Sequence, residues 1–204
     1  MKVQIIDYGM GNLGSVKTAV GLLGFNADIV SMPNSIESAD KLILPGVGSF
    51  HDAMSELKDH GWIDAIEEHV IVKQKPILGI CLGMQLLASH GEEGGTTQGL
   101  NFIPGVVKHL RDLGCGERIP HVGWNDTTVK NNSSLFFKIP SGNDFFYVHS
   151  YGFLPVNSIH VSSVVNYDQE IVASVESNNV FGTQFHPEKS SKAGLQLLKN
   201  FLDF

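Results

Sequence analysis

Cysteine is scarce in this chain, at two of 204 residues, which excludes a disulfide-stapled secreted scaffold. Charge is scarce too: charged residues make up 17%, against ~25% in an average soluble domain. The basic sign is the scarcer, with 14 lysines and arginines against 21 aspartates and glutamates for a net charge of −7. That balance excludes the clustered basic footprint of a nucleic-acid-binding domain. Long apolar runs are missing as well. The longest uncharged stretch worth testing as a membrane span, Pro76 to Ser89, is 14 residues long and contains Gly79 and Gly83. A spanning helix needs ~20 apolar residues, so no membrane role is expected. Met1–Asp7 carries no apolar signal region, which predicts a cytoplasmic location. No repeat, low-complexity tract or Pro/Ser-rich linker divides the chain, so one domain over residues 1–204 is expected. Glycine, by contrast, is abundant at 22 residues, which points to tight turns and backbone-lined sites.

The first half alternates short apolar runs with helix-period segments. Val3–Ile6, Lys41–Leu44 and Ile77–Ile80 read as buried strands. Between them, Leu13, Val16, Val20 and Leu23 fall at helical spacing, Ser49–Asp52 is a capping pattern, and Trp62–Val72 reads as a further helix. Strand, helix, strand, helix with short loops predicts a largely parallel sheet with helices on both faces. From Pro104 the chain becomes strand-rich. Val106-Val107, Phe145–Val148, His160–Val165, Ile171–Val175 and Val180–Phe185 are expected strands. Ser190 and Ser191 are expected to cap a last helix with Leu195, Leu198 and Leu202 on one face. The fold class is α/β with a strand-rich second half.

Gly79-Ile80-Cys81-Leu82-Gly83 is the strongest chemical feature. It is the cysteine counterpart of the G-x-S-x-G nucleophile elbow, between an expected strand and an expected helix through Leu86. Glycines flank such a nucleophile because side chains there would clash between turn and helix. A helix N-terminus also favours negative charge on sulfur, and the thiolate is the reactive form. A cysteine nucleophile needs a base and a group to orient it. His186-Pro187-Glu188 offers both, because residues two apart on an extended segment point to the same side. The backbone N–H of Leu82 is the expected oxyanion donor, and the Pro45–Gly48 loop, through Gly46 or Gly48, offers a second. Gln85, four residues after Cys81, stands on the same helix face and could bind substrate.

Other signals are weaker. Gly9-Met10-Gly11-Asn12-Leu13-Gly14 spells a dinucleotide fingerprint, but Asp28 begins the following apolar run instead of ending it. The nine histidines show no metal-ligand spacing, and His51, His60 and His69 are expected on polar faces. Cys115, between two glycines, is expected to be a loop thiol. Asn125 and Asn131 match glycosylation acceptors, which carry no meaning without a secretory signal.

Taken together, DYGMGNL from Asp7, the Pro45–Gly48 loop, GICLGMQ from Gly79, PHVGWN from Pro120, VHSY from Val148 and GTQFHPEKS from Gly182 resemble the class I glutamine amidotransferases. Within that family they are most similar to the glutaminase subunits of imidazole glycerol phosphate synthases, and the resemblance covers nearly the whole chain. It implies a single-domain class I amidotransferase fold and a Cys81-His186-Glu188 triad that hydrolyses glutamine through a thioester, without cofactor or metal. Gln85 and the Ser150-Tyr151 segment would hold the backbone groups of glutamine. Asn12, Trp124 and Lys189 match positions expected near a partner. That partner would be a (β/α)₈-barrel cyclase, forming a heterodimer that receives the ammonia for histidine biosynthesis and switches the glutaminase on through the Pro45–Gly48 loop. A sister subunit that aminates a sugar nucleotide for surface polysaccharide would carry the same glutaminase residues. The Arg111–Arg118 stretch matches no family segment.

Overall fold

The computed structural model describes residues 1–130 and 132–204, so Asn131, the asparagine of the second acceptor motif, lies outside the described residues. In the first half, β1 (Val3–Ile6), α1 (Leu13–Leu22), β2 (Ala27–Val30), β3 (Lys41–Gly46), α2 (Phe50–Asp59), α3 (Trp62–Glu67), β4 (Ile77–Cys81) and α4 (Leu82–Leu86) follow one another. The second half runs β5 (His90–Gly91), β6 (Thr97–Gln98), β7 (Gly105–His109), β8 (His121–Val129), β9 (Asn143–His149), β10 (Tyr151–Pro155), β11 (Val161–Tyr167), β12 (Gln169–Ser177), β13 (Val180–Thr183) and α5 (Ser191–Asp203).

A nine-stranded sheet in the order β2-β1-β3-β4-β13-β12-β11-β8-β9 forms the body. Its first five strands are mutually parallel. The remaining four continue it antiparallel. The strand-rich second half therefore extends the parallel sheet by way of β13. A smaller sheet, β10-β7-β5-β6, lies beside it.

Successive side chains on the parallel strands face opposite layers, which is why these strands read as unbroken apolar runs. Ile5, Ile43 and Leu78 pack on one side with Val16 and Val20 of α1 and Leu198 and Phe201 of α5. Ile6, Leu42, Leu44 and Ile77 pack on the other with Phe50 and Leu57 of α2 and Trp62 and Ile66 of α3. Ser49 accepts the Asp52 N–H at 3.2 Å, the cap its sequence announces.

Several local expectations need correction. Ser190 makes no side-chain cap for α5. Its hydroxyl instead accepts the Phe146 N–H at 3.0 Å and donates to the His186 carbonyl at 2.6 Å. His69 is buried, not on a polar face, because α3 widens into a π turn over Glu68–Val72 that rotates the ring inward. Cys115 does lie in a loop, as expected, and is buried there with its thiol 3.3 Å from the Tyr167 carbonyl. His160 stands in a short 3₁₀ turn just before β11. Strands β8 and β10 have no clear sequence signal. Gly123, Asn125 and Asp126 interrupt the β-branched pattern of β8, and its pairing with β9 and β11 fixes it from outside.

Candidate active site

Cys81 ends β4 and immediately precedes α4. Its backbone sits at φ 56° and ψ −111°, a conformation costly for any residue with a Cβ. Two glycines make the turn possible. A Cβ on Gly83 would stand 1.8 Å from the Leu44 carbonyl oxygen, and one on Gly79 would stand 2.5 Å from that of Gly83. The strand therefore turns into the helix within one residue and presents the thiol at the carboxyl end of the parallel strands, where α/β folds place their sites. α4 runs through Leu86 as expected but is only five residues long, so local N–H groups matter here more than a summed dipole.

β13 pairs with β4 in parallel, with Thr183 level with Ile80. The chain that leaves β13 thus reaches the level of Cys81 and delivers His186 beside it. The His186 N–H donates to the Phe146 carbonyl at 2.9 Å, fixing the ring's origin. Pro187–Lys189 is a 3₁₀ turn, not the extended segment expected, and the turn folds Glu188 under the imidazole. His186 Nδ1 lies 2.8 Å from Glu188 Oε1, with both side chains almost fully buried. Nδ1–H donating to the carboxylate leaves Nε2, which has no hydrogen-bond partner, free for chemistry. Burial alone pushes the His186 pKa down, but Cys81 and Glu188 together outweigh it and hold it near 9.

Cys81 and His186 line a cavity of about 300 Å³, and so do Gly48, Leu82, Gln85, Ser150 and Tyr151. That volume is at the lower end of ligand pockets, suited to an amino-acid-sized molecule. Ser150 and Tyr151 reach it because the chain crosses from β9 of the large sheet to β10 of the small one at that point. Gly46 does not line the cavity. It is held in β3, level with Cys81, and packs beneath α4 and the Tyr8 hydroxyl. The ladder to β4 thus leaves only Val47 and Gly48 of the expected mobile loop outside the sheet. Gly48 has φ +113°, a conformation that suits glycine.

Five lining residues were not among the expected site residues: Val47, Pro120, Val148 and His149, which lie inside motifs already singled out, and Glu93, which does not. Glu93 Oε2 accepts the Phe50 N–H at 2.7 Å, so its carboxylate is seated by α2 at the rim. It is the lining group suited to an ammonium, and the Glu92-Glu93-Gly94-Gly95 run after the elbow helix was its only signal. His149 Nδ1–H donates to the Tyr151 carbonyl at 2.9 Å, and its Nε2 accepts from His121 Nδ1 at 3.0 Å. Burial pushes the pKa of His149 down to about 3 and that of His121 down to about 4, so this pair is neutral.

A larger groove of about 770 Å³ runs past Phe137, Glu176 and the end of α5. Among its described lining residues there is no cysteine or histidine, and the Ser133 and Ser134 hydroxyls donate to the Glu176 carboxylate, whereas the smaller cavity holds Cys81 and His186. Among the described residues no group of three or more histidines, cysteines or carboxylates could hold a metal ion. Nor is any helix of the described residues long and apolar enough to cross a membrane.

None of the three residues expected at an interface lines the cavity that holds Cys81. Trp124 is 52% exposed, which excludes a core role, and it meets Phe146 edge-on at 6.1 Å. Lys189 holds its ammonium 5.8 Å from the centre of the same Phe146 ring. Asn12 precedes α1 without capping it and lines a groove that also contains Glu188. Val122 faces Val148 and Trp124 faces Phe146 across the β8–β9 ladder, forming one outward apolar stripe.

A nucleophile on a strained elbow, an imidazole held by a carboxylate, and an amino-acid-sized cavity define a thiol amidohydrolase site on an α/β sheet. The model of the class I glutamine amidotransferase family matches residues 4–203, and the chain belongs to that family. It is 47% identical over 199 residues to the imidazole glycerol phosphate synthase subunit HisH of Moorella thermoacetica, covering 98% of this chain and 93% of that one. It is 46% identical to subunit HisH 1 of Campylobacter jejuni, covering 98% of each, and 47% identical to subunit HisH 2 of Vibrio vulnificus, covering 100% and 95%. Two solved structures share the fold. A glutamine amidotransferase superimposes with TM-score 0.78 at 19% identity, covering 98% and 97% of the two chains. PurLQS from Thermotoga maritima does so with TM-score 0.77 at 21% identity, covering 99% and 97%.

Proposed function

We propose that residues 1–204 form one glutaminase domain, the ammonia-producing subunit of an imidazole glycerol phosphate synthase in histidine biosynthesis. It acts in the cytoplasm as a heterodimer with a (β/α)₈-barrel cyclase. The observation that carries the chemistry is His186, seated on Glu188 with Nε2 unpartnered beside Cys81.

In this reading glutamine enters with its ammonium toward Glu93 and its carboxylate toward the backbone at Ser150 and Tyr151. Gln85 fixes the chain between them. With its proton already held on His186, Cys81 attacks as the thiolate, and Sγ adds to the side-chain carbonyl carbon. The N–H groups of Leu82 and Gly48 stabilise the oxyanion that forms, a role worth ~3–4 kcal/mol per donor in related chemistry. His186 returns the proton to the amide nitrogen, the C–N bond breaks, and ammonia leaves a γ-glutamyl thioester. Water then gives its proton to Nε2, attacks the thioester and releases glutamate and the thiol. Gly46 stays behind Gly48 as the fixed end of the loop.

Ammonia released into neutral water protonates and loses its lone pair, so the product is useful only beside an acceptor site. The apolar stripe of Trp124, Phe146, Val122 and Val148, with Asn12 and Lys189 at its margin, is where the cyclase docks. Glutamate release should be low for the chain alone, rise with a histidine-pathway cyclase and its nucleotide ligand, and vanish in Cys81→Ala.

A second acceptor has one observation in its favour. Two of the relatives carry the numbered names HisH 1 and HisH 2, which leaves room for more than one such subunit in an organism. Glutaminase activity that depends on Cys81 but ignores the histidine-pathway cyclase would assign the chain to the paralogue that aminates a sugar nucleotide for surface polysaccharide.

A further inference from the structure

Gln184 is fully buried, and neither the elbow nor the His186-Glu188 pair accounts for it. A glutamine with no exposure carries four hydrogen-bonding valences that the interior must satisfy. Its backbone N–H donates to the Ala173 carbonyl at 2.8 Å, which continues the β12–β13 pairing one residue past Thr183. The parallel register pairs Val180 with Ile77 and Thr183 with Ile80, so Gln184 comes level with Cys81. It also stands two residues before His186, and side chains two apart on an extended segment share a side.

The side chain uses this position on two partners. Gln85 Nε2 donates to Gln184 Oε1 at 3.0 Å. With the oxygen taken, the amide nitrogen is the end that faces sulfur, and Gln184 Nε2 lies 3.7 Å from Cys81 Sγ. Gln85 is itself held by a second bond from Nε2 to the Tyr151 carbonyl at 3.0 Å. Both amide protons of Gln85 are therefore committed, and its carbonyl oxygen is the end left to meet substrate. Before ionisation the thiol donates to the Val148 carbonyl, 3.8 Å from Sγ.

We propose that Gln184 is a positioning residue of the glutaminase site, with its amide acting as a fixed donor to the Cys81 sulfur and a seat for Gln85. An N–H aimed at sulfur gains most when sulfur is charged, so it favours the thiolate over the thiol. The thiolate leaves Cys81 each time the thioester forms and is regenerated each time it hydrolyses, and the donor serves both moments without moving. The inference rests on the glutaminase reading for its catalytic consequence, but the sulfur contact is testable without turnover.

The test uses the full chain, with iodoacetamide as the probe and peptide mass mapping to follow Cys81 alone. Gln184→Met keeps the volume and removes the donor and the seat. Gln184→Glu keeps an oxygen for Gln85. In Gln184→Met, alkylation of Cys81 at pH 7 should slow about tenfold, with the rate-against-pH curve displaced to higher pH, the equivalent of one lost hydrogen bond, and in Gln184→Glu, whose carboxylate also repels the thiolate, it should slow by more. The glutamine KM should rise in Gln184→Met and stay within about twofold in Gln184→Glu, while kcat falls in both. If Gln184→Met fails to fold by circular dichroism, Gln184→Glu carries the test. Alkylation curves that superimpose on the unsubstituted chain would overturn the proposal, even with kcat reduced, because Gln184 would then act on Gln85 alone. An unsubstituted chain that releases no glutamate with any partner would remove the glutaminase reading, and a Gln184-dependent alkylation curve would still support the sulfur contact.

Discussion

His186 and Glu188 are joined by a 2.8 Å hydrogen bond between two side chains that are 2% and 1% exposed. Its consequence is directional. Burial pulls the imidazole pKa down, and the partners Cys81 and Glu188 hold it up near 9, above the ordinary value of 6.5. A raised pKa means that folding binds a proton. The stabilising effect is complete below pH 6.5 and is lost as pH rises through about 9. Catalysis requires the same proton for the leaving nitrogen, so glutamate release should fall along an alkaline limb near pH 9. Glu188→Gln removes the anion, and the limb should move to lower pH by about one unit or more while kcat drops at least tenfold. Initial rates of glutamate release in the activated complex from pH 6 to 10 read both effects, and an unmoved limb would separate Glu188 from His186.

Three other histidines work in the opposite direction. Burial holds the pKa values of His69 and His121 at about 4 and that of His149 at about 3. In the unfolded chain all three take up protons near pH 6.5. Their depressed folded values therefore leave stability intact above pH 6.5, and it drains away as pH falls toward 4. Each uncharged group costs about 1.4 kcal/mol per pH unit inside that window. Urea unfolding midpoints at pH 7, 6 and 5 should decline steeply, and replacing His69 with a neutral side chain of similar size should flatten the decline. A midpoint constant from pH 7 to 5 would contradict neutral burial.

Glycines at the elbow differ from glycines elsewhere in a measurable way. A Cβ at position 83 would lie 1.8 Å from backbone, which cannot yield without moving β3 or α4. Gly83→Ala should cost ~3 kcal/mol or more and abolish activity through displacement of Cys81. Gly21, in α1, meets nothing within 4 Å, and Gly21→Ala should stabilise by up to ~1 kcal/mol. Thermal melts of the two variants side by side measure the contrast, and equal effects would refute the steric account.

How much of this was legible follows from what each residue depends on. Cys81, Gly79 and Gly83 are contiguous, and the turn they make is local, so the motif alone announces it. Glu188 was readable as the partner of His186 because the two are neighbours in sequence, although a 3₁₀ turn and not an extended segment brings them together. Gln184, Glu93 and His149 were not readable. Gln184 matters only because β13 pairs with β4 in one register, and His149 only because the chain changes sheets after β9. Phe146 was hidden for the same reason, since its neighbours Trp124 and Lys189 come from β8 and from the turn beyond β13. Pairing across a sheet is long-range information that one strand's pattern does not hold. The burial of His69 escaped because helical periodicity assumes 3.6 residues per turn, and the π turn at Glu68–Val72 breaks that count.

That same ladder gives the outward stripe a testable role. Val122 pairs with Val148 and Trp124 with Phe146, Trp124 is half-exposed, and Val148 also lines the cavity that holds Cys81. A large aromatic at the centre of an apolar patch is the residue type that dominates interfaces, at ~2 kcal/mol or more on truncation. Trp124→Ser should therefore weaken the cyclase complex at least ~tenfold in Kd by titration calorimetry. Ile71, 54% exposed in the turn before β4 and so at the opposite end of the parallel strands from Cys81, serves as the control. Ile71→Ser removes a comparably exposed side chain and should leave Kd within about twofold. The thermal midpoint of the isolated chain should change little in either variant, because neither side chain belongs to the core. If Trp124→Ser binds the cyclase as tightly as the unsubstituted chain, the β8–β9 stripe is not where ammonia is handed over, and the groove between α1 and α5 that contains Asn12 and Glu188 becomes the surface to test.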